Sequence, residues 1–247
     1  MNAMWSLWKA ELLRTVRDRR FFTLTLGMPI IFYFVFMNQV GTHARISGTF
    51  WNAYFMVSMA AFGVVGSSVN TLAVRLATER KSGWVRFLRT TPLSSAGYTL
   101  AKILTQLSLS FFIIFVVFFV AQFSAHVTMP PMRWFEIFLW LWIGSIPFAA
   151  LGVFIGMAGN AAQVLGTLVY LVLSMLGGLW TPIQALPRAL QEVAQWMPTY
   201  RFAQPAWELL AERPISWVSV AILLGYAGIF SGLAAWIERK GDAHQQE

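Results

Sequence analysis

Long apolar segments are the feature that most restricts how this chain can fold. Six runs reach or approach the roughly 20 residues that a helix needs to cross a bilayer, and polar or proline-containing stretches separate them. The chain is 57% hydrophobic and 11% charged, whereas soluble domains average roughly 45–50% and 25%. We therefore expect an all-α membrane protein, one transmembrane domain over residues 1–247. The predicted spans are residues 21–40, 51–74, 103–124, 135–158, 164–181 and 215–236.

The first 20 residues predict a helix that lies along the membrane surface. Trp5, Trp8, Leu12 and Val16 recur at helical spacing, and basic side chains surround them. The apolar run that follows is too long for the core of a signal peptide. Residues 1–20 are therefore interpreted as an amphipathic interfacial helix.

The distribution of positive charge predicts the orientation in the membrane. The formal net charge is +8, and most Lys and Arg fall on one side if the N-terminus is cytoplasmic. An even number of spans then places both termini in the cytoplasm. Because the cations lie beside apolar runs, they do not indicate nucleic-acid binding. The residues assigned to the cytoplasmic side are Lys9, Arg14, Arg17, Arg19, Arg20, Arg75, Arg80, Lys81, Arg86, Arg89, Lys102, Arg239 and Lys240.

Residues 75–102 form the longest polar and basic connection in the chain. Trp84, Phe87, Leu88 and Thr91 have helical spacing, which predicts an amphipathic helix over 79–91. Pro92 is expected to end it, and Ser94 or Ser95 to cap the next helix. On the residues alone, binding to anionic lipid headgroups is the favoured interpretation, and docking of a partner protein stays open.

Two further segments are expected to shape the helix bundle. Residues 182–205 are too polar to span alone and too apolar for an ordinary loop, which predicts a re-entrant or interfacial element near the outer surface. Within it, a helix should start at Pro187 and stop before Pro198. Gly152 and Gly156 form a small-xxx-small pair suited to close helix packing.

The sequence offers no constellation for catalysis. It has no cysteine, and its three histidines are far apart, so no metal site is expected. The P-loop pattern that binds ATP is absent, as are zinc-protease and serine-hydrolase motifs. No acid or base lies deep inside an apolar run, which argues against an ion pump or a proton-coupled antiporter. We therefore expect a protein that is not an enzyme and carries no cofactor itself.

The basic connection carries a family resemblance. It reads ERKSGWVRFLRTTPLS from Glu79 to Ser94, with a lysine at position 102, and GGLWTP occurs late in the chain. Together with six predicted spans, this resembles the membrane subunit of a type-2 ATP-binding-cassette exporter. Trp84 departs from the family pattern, where a threonine or small polar residue is commoner. The matching positions are Glu79, Arg80, Gly83, Leu88, Arg89, Thr90, Thr91, Pro92, Leu93, Ser94 and Lys102.

The resemblance implies a permease in a bacterial inner membrane that pairs with a second copy or a homologous permease. A coupling helix in the connection would dock on a cytosolic ATPase subunit, which holds ATP and Mg²⁺. The exported substrate would be an amphiphilic, lipid-like or drug-like molecule that passes between the two permeases. The residues implied in coupling are Glu79, Arg80, Gly83, Arg86, Leu88, Arg89, Thr91 and Pro92, and those implied in the exit gate are Pro182, Pro187 and Pro198.

Two other function classes stay open at this point. A membrane scaffold or assembly factor would use the same basic connection to bind lipid or a partner. A membrane-embedded enzyme is the least favoured, because no acid, base or metal constellation is present.

Overall fold

Helices account for most of the residues that the computed structural model describes, which are residues 3–41, 44–88, 90–91 and 93–243. Two short strands, β1 (Arg45–Ile46) and β2 (Thr49–Phe50), form an antiparallel hairpin. The all-α prediction is confirmed. The helices are α1 (Ala3–Arg17), α2 (Arg19–Val40), α3 (Trp51–Val65), α4 (Leu72–Lys81), α5 (Trp84–Leu88), α6 (Ser95–Ser124), α7 (Pro131–Ile143), α8 (Ile146–Gly156), α9 (Ala162–Leu176), α10 (Arg188–Ala194), α11 (Pro198–Leu210) and α12 (Trp217–Ala243).

Five helical segments in the described part of the chain are long and apolar enough to cross a membrane. A shorter apolar stretch, Thr25–Val40, lies within α2, where the first span was predicted. These segments support a multi-pass membrane protein, whereas the number of six spans stays a prediction. The five segments are Trp51–Lys81, Gly97–Ser124, Pro131–Gly156, Gly159–Leu176 and Trp217–Ile237.

The second predicted span is longer than its apolar run indicates. A π-helical stretch, Gly66–Thr71, joins α3 to α4, so the helical path continues past the predicted end at Val74 to Lys81. Gly83 then adopts a left-handed conformation, with φ at +77°, which glycine tolerates because it has no Cβ. The single helix predicted over 79–91 is therefore divided, and only the five residues of α5 follow the turn.

Other helices also end at places that the apolar pattern does not mark. Gly144 and Ser145 divide the fourth predicted span into α7 and α8. The helix predicted to start at Pro187 is α10, but α11 begins at Pro198 and continues through Pro205. The last helix extends to Ala243, seven residues past the end of the span predicted over 215–236.

The core is organised around α3, in which every residue from Trp51 to Val65 is buried. Helices α2, α6 and α11 pack around it. A second apolar cluster lies at the end of the bundle where α1, α4, α8 and the start of α6 meet, with Leu88 of α5 packed against it; we call this the basic end. This cluster consists of Leu7, Leu72, Leu76, Tyr98, Ala101, Ala149, Val153 and Ala234.

Two glycines allow α8 to approach the second predicted span closely. A Cβ on Gly152 would lie 1.9 Å from the main-chain oxygen of Ser68 in the π-helical stretch. A Cβ on Gly156 would lie 2.8 Å from the Cβ of Leu76 in α4. Both positions therefore need the absence of a side chain for the observed packing.

Candidate functional site

The connection between α4 and α6 presents two aromatic rings on its outer surface. Trp84 and Phe87 are 38% and 59% exposed, and their ring centroids are 5.5 Å apart in a stacked arrangement. Leu88, one residue further on, is half-buried against the apolar cluster of the basic end. Helix α5 is thus attached to the bundle on one side and offers an aromatic pair on the other.

Local hydrogen bonds fix the shape of this connection. The hydroxyls of Thr90 and Thr91 donate to the main-chain oxygens of Phe87 and Leu88, at 2.8 and 2.5 Å. Ser94 accepts a hydrogen bond from the main-chain nitrogen of Gly97 at 3.1 Å, so the predicted cap of the following helix is confirmed. The carbonyl groups at the end of α5 are therefore satisfied within the connection.

The residues singled out in this connection occupy different environments. Arg80 is exposed at the end of α4. The main chain of Arg86 belongs to α5, but its side chain lies outside the described part of the structure, as do Arg89 and Pro92 altogether. Glu79 is different from its neighbours, because it is only 4% exposed.

Glu79 belongs to a buried cluster of three charged side chains. The Nζ atom of Lys102 lies 2.6 Å from Oε1 of Glu79 and 2.9 Å from Oε1 of Glu11. The three residues are between 2% and 5% exposed, and the hydroxyl of Tyr98 donates to Oε2 of Glu79 at 2.6 Å. We call Glu11, Glu79 and Lys102 the ion triad. It joins α1, α4 and α6 at one point behind the connection.

Sequence reasoning missed Glu11, although a signal was present. Leu7, Glu11 and Thr15 recur every four residues and form the buried face of α1, whereas Trp5 and Val16 of the predicted apolar face are exposed. Glu11 is an acid in a helix whose other charged side chains are basic. An acid at such a position needs a cation, and Lys102 provides it.

A second set of polar contacts connects α1 to α4. Arg75 donates from Nη1 to the hydroxyl of Thr15, and its Nη2 lies 3.9 Å from Oδ2 of Asp18. On the exposed side of the ion triad, Nη1 of Arg14 lies 3.6 Å from Oε1 of Glu79. Four charged residues, Arg75 and Glu79 on α4, Arg14 on α1 and Asp18 directly after it, therefore hold these two elements together.

A cavity of about 470 Å³ begins at Arg75 and Asp18 and extends between α2, the π-helical stretch and α9. We call it the main cavity because of its place beside α4; another cavity, of about 530 Å³, lies between the hairpin and the end of α11. The wall of the main cavity combines apolar groups such as Met28 and Val74 with the amide of Asn70. The hydroxyl of Thr167 donates to Oδ1 of that amide at 3.3 Å. Such a wall suits a ligand with both an apolar and a hydrogen-bonding part.

The proline-rich segment lies at the opposite end of the bundle and packs on the end of α9. Pro182 and Pro187 precede the 3₁₀ turn Ile183–Ala185 and α10, respectively. Pro198 begins α11, and next to it the hydroxyl of Thr199 donates to the main-chain oxygen of Leu173 at 2.5 Å. These three prolines fix helix starts, as the missing N–H at such positions allows.

The described residues contain no group of three or more His, Cys, Asp or Glu side chains placed to hold a metal ion. The contacts that the described residues of the basic end make are ion pairs, hydrogen bonds and aromatic stacking.

Comparison with known proteins gives one family and several relatives. Residues 2–206 match the sequence model of the family described as "ABC-2 type transporter". The chain is 34% identical over 245 residues to "Putative transport permease YvfS" of Bacillus subtilis (strain 168), covering 98% of this chain and all of that protein. It is 28% identical over 192 residues to "Inner membrane transport permease YhhJ" of Escherichia coli (strain K12). That match covers 74% of this chain and 49% of YhhJ.

Proposed function

This chain belongs to the ABC-2 type transporter family, and from that premise we propose that it exports an amphiphilic substrate with energy from a separate ATPase. Membership makes it the membrane permease subunit of an ABC transporter, and implies an ABC ATPase and a homologous permease as partners. Its apolar helices and its relatives agree with a multi-pass protein of the inner membrane. ATP-driven export and an amphiphilic substrate are our proposals beyond family membership.

The observation that carries the proposal is the exposed aromatic pair on a connection that is fixed to the bundle. Trp84 and Phe87 offer apolar surface, and the cations Arg80 and Lys81 are exposed next to them. Buried aromatic anchors ringed by polar groups are the usual form of an interface hot spot. Because α5 follows α4 after only Ser82 and Gly83, a displacement of α5 acts directly on a span-length helix.

We assign the residues of the connection two kinds of role. Arg80, Arg86 and Arg89 are proposed contacts of the ATPase, together with the aromatic pair. Gly83, Thr91 and Pro92 are proposed to shape the connection. Glu79 and Leu88 lie on its inner side, so we propose that they transmit force to the bundle.

The main cavity is the proposed substrate contact. Its polar groups can bind the head group of an amphiphile, and its apolar wall can contact the hydrocarbon part. Helix α9 supplies Thr167 and Tyr170 to this cavity and, beside them, exposes an apolar stripe that includes Leu168 and Val172. Two copies that meet on this stripe would enclose a path between their cavities, with the segment 182–205 as the proposed exit gate.

Cysteine crosslinking tests the docking assignment, because the chain has no cysteine of its own. A single Phe87→Cys variant should crosslink to a cysteine in the groove of the co-purified ATPase and inhibit ATP hydrolysis. The matched control is Trp196→Cys, an equally exposed aromatic position in the proline-rich segment at the other end of the bundle. Crosslinking at both positions or at neither would refute the proposed docking surface.

A membrane scaffold is the second candidate, and the same surface supports it. Exposed tryptophan and phenylalanine beside Arg80 and Lys81 also suit the headgroup region of an anionic bilayer. In that case the permease would support neither transport nor stimulation of an ATPase in proteoliposomes. The detergent-purified protein would still bind vesicles containing phosphatidylserine through this connection, and Trp84→Ala with Phe87→Ala would abolish that binding.

A further inference from the structure

The ion triad is not explained by docking alone, because it lies inside the bundle. All three side chains are buried, and removal of charged groups from water costs several kcal/mol per ion. Apolar side chains of similar volume would often join three helices at least as firmly. Buried ion clusters are instead attested where one arrangement of helices must be specified or switched.

Arg75 places the triad next to the main cavity. Its side chain lines that cavity and interacts electrostatically with Glu11 and Glu79. Arg75 and Thr71 also line a second cavity of about 10 Å³, whose wall includes Glu11 and Lys102. A volume of about 10–15 Å³ holds one water molecule. A continuous set of polar groups therefore leads from the cavity wall to the triad.

The triad in turn adjoins the connection. Glu79 is two residues from the end of α4, which is followed by the turn at Ser82 and Gly83. Its Oε2 atom accepts from Tyr98, a residue of the apolar cluster against which Leu88 packs. Glu79 is thus linked to the start of α5 through the end of α4 and the turn, and to the end of α5 through the apolar cluster.

We propose that the ion triad reports occupancy of the main cavity to the docking connection, with Arg75 as the residue that faces the ligand. The anionic or hydrogen-bond-accepting part of a ligand competes with Glu11, Glu79 and Asp18 for Arg75. The triad then rearranges and moves the end of α4. The substrate class that this favours is an amphiphile whose head group carries a negative charge. This inference rests on the proposed function, because it assumes an ATPase docked on α5.

A tethered anion tests the proposal without knowledge of the substrate. Gln163→Cys places a single thiol in the wall of the main cavity. The reagent 2-sulfonatoethyl methanethiosulfonate attaches a sulfonate there, and its trimethylammonium analogue attaches a cation. The measurement is the ATPase rate of the purified permease–ATPase complex before and after each reagent. The cysteine-free permease in the same complex corrects for cysteines of the ATPase.

With the native triad, the sulfonate should change the ATPase rate by about fivefold or more, the lower end of typical coupling between sites, and the cation should have a smaller effect. The neutral triple variant Glu11→Gln, Glu79→Gln and Lys102→Met, in the Gln163→Cys background, should lose this response. Lys9→Met and Glu192→Gln change exposed residues of the same types and should keep it.

Three results would overturn the inference. If the ATPase rate of the triple variant responded equally to the sulfonate, the triad would have a structural role only. If the rate did not respond with the native triad, the cavity and the ATPase would not be coupled. If the triple variant fails to fold, the single variant Glu11→Gln replaces it in the same ATPase measurement, since it retains the 2.6 Å pair of Lys102 and Glu79. An undiminished response of the ATPase rate in this single variant would also refute the inference. A complex that does not form, or does not hydrolyse ATP, would instead refute the proposed function.

Discussion

Replacing Lys102 with methionine should destabilise the protein far more than the loss of an ordinary surface lysine. Lys102 is 2% exposed, and its ammonium group is the cation between Glu11 and Glu79. Methionine has a similar length but leaves both carboxylates buried without this partner. Removal of one member of a buried ion pair costs about 3–5 kcal/mol, and each kcal/mol lowers Tm by about 2–4 °C in a domain of this size. We therefore expect Tm to fall by roughly 6–20 °C.

The measurement is thermal unfolding of the purified permease in detergent, followed by intrinsic tryptophan fluorescence. Lys9→Met is the matched control, because Lys9 is exposed on α1, and a surface substitution should change stability by no more than about 0.5 kcal/mol. Glu11→Gln and Glu79→Gln added to Lys102→Met should recover most of the loss, since no buried charge is left unpaired. Equal Tm values for Lys102→Met and Lys9→Met would refute the assignment of the triad as a buried ion cluster.

Three other substitutions test the packing around the candidate site. Gly152→Ala should cost about 1–3 kcal/mol of unfolding free energy, the range for an overpacked core, because its Cβ would lie 1.9 Å from the oxygen of Ser68. The control is Gly225→Ala, which should not destabilise the protein, because no atom outside its own helix backbone lies within 4 Å of that Cβ. Gly83→Ala should cost about 1–2 kcal/mol because φ is +77° there, and should speed proteolysis of the connection, with Gly83→Asn milder. Gln106→Leu removes the donor to two serine hydroxyls of the π-helical stretch and should lower stability by about 1–3 kcal/mol in thermal unfolding.

The class of fold can be predicted from the sequence because the length of an apolar run can be read along the chain without knowledge of tertiary contacts. A run of about 20 apolar residues has few alternatives to a spanning helix, and the segment Trp217–Ile237 agrees with the predicted span 215–236 within two residues at each end. The connection motif identified the family for a similar reason, since its residues are contiguous from Glu79 to Ser94. Both predictions rest on neighbours along the chain.

One error is local: the helical spacing of Trp84, Phe87 and Leu88 is real, but the left-handed turn at Gly83 separates their short helix from α4. The other errors concern interactions between distant residues. Burial of Glu11 depends on a lysine 91 positions away, and no local pattern reveals that distance. The π-helical stretch could not be predicted from the sequence either, because its place depends on the close approach of α8, which only the structure shows.

Helix α4 is the element on which these features converge. Its Arg75 lines the main cavity, its Glu79 belongs to the ion triad, and its last residue precedes the connection to α6. At its other end it continues the π-helical stretch, whose hydrogen bonds span one residue more than those of an α-helix. Return of this stretch to α-helical geometry would turn α4 by about 100°, the rotation of one helical residue. A turn of that kind would carry Arg75 and Glu79 with it, because both belong to α4, and would move the wall of the main cavity and the start of the connection to α6 together.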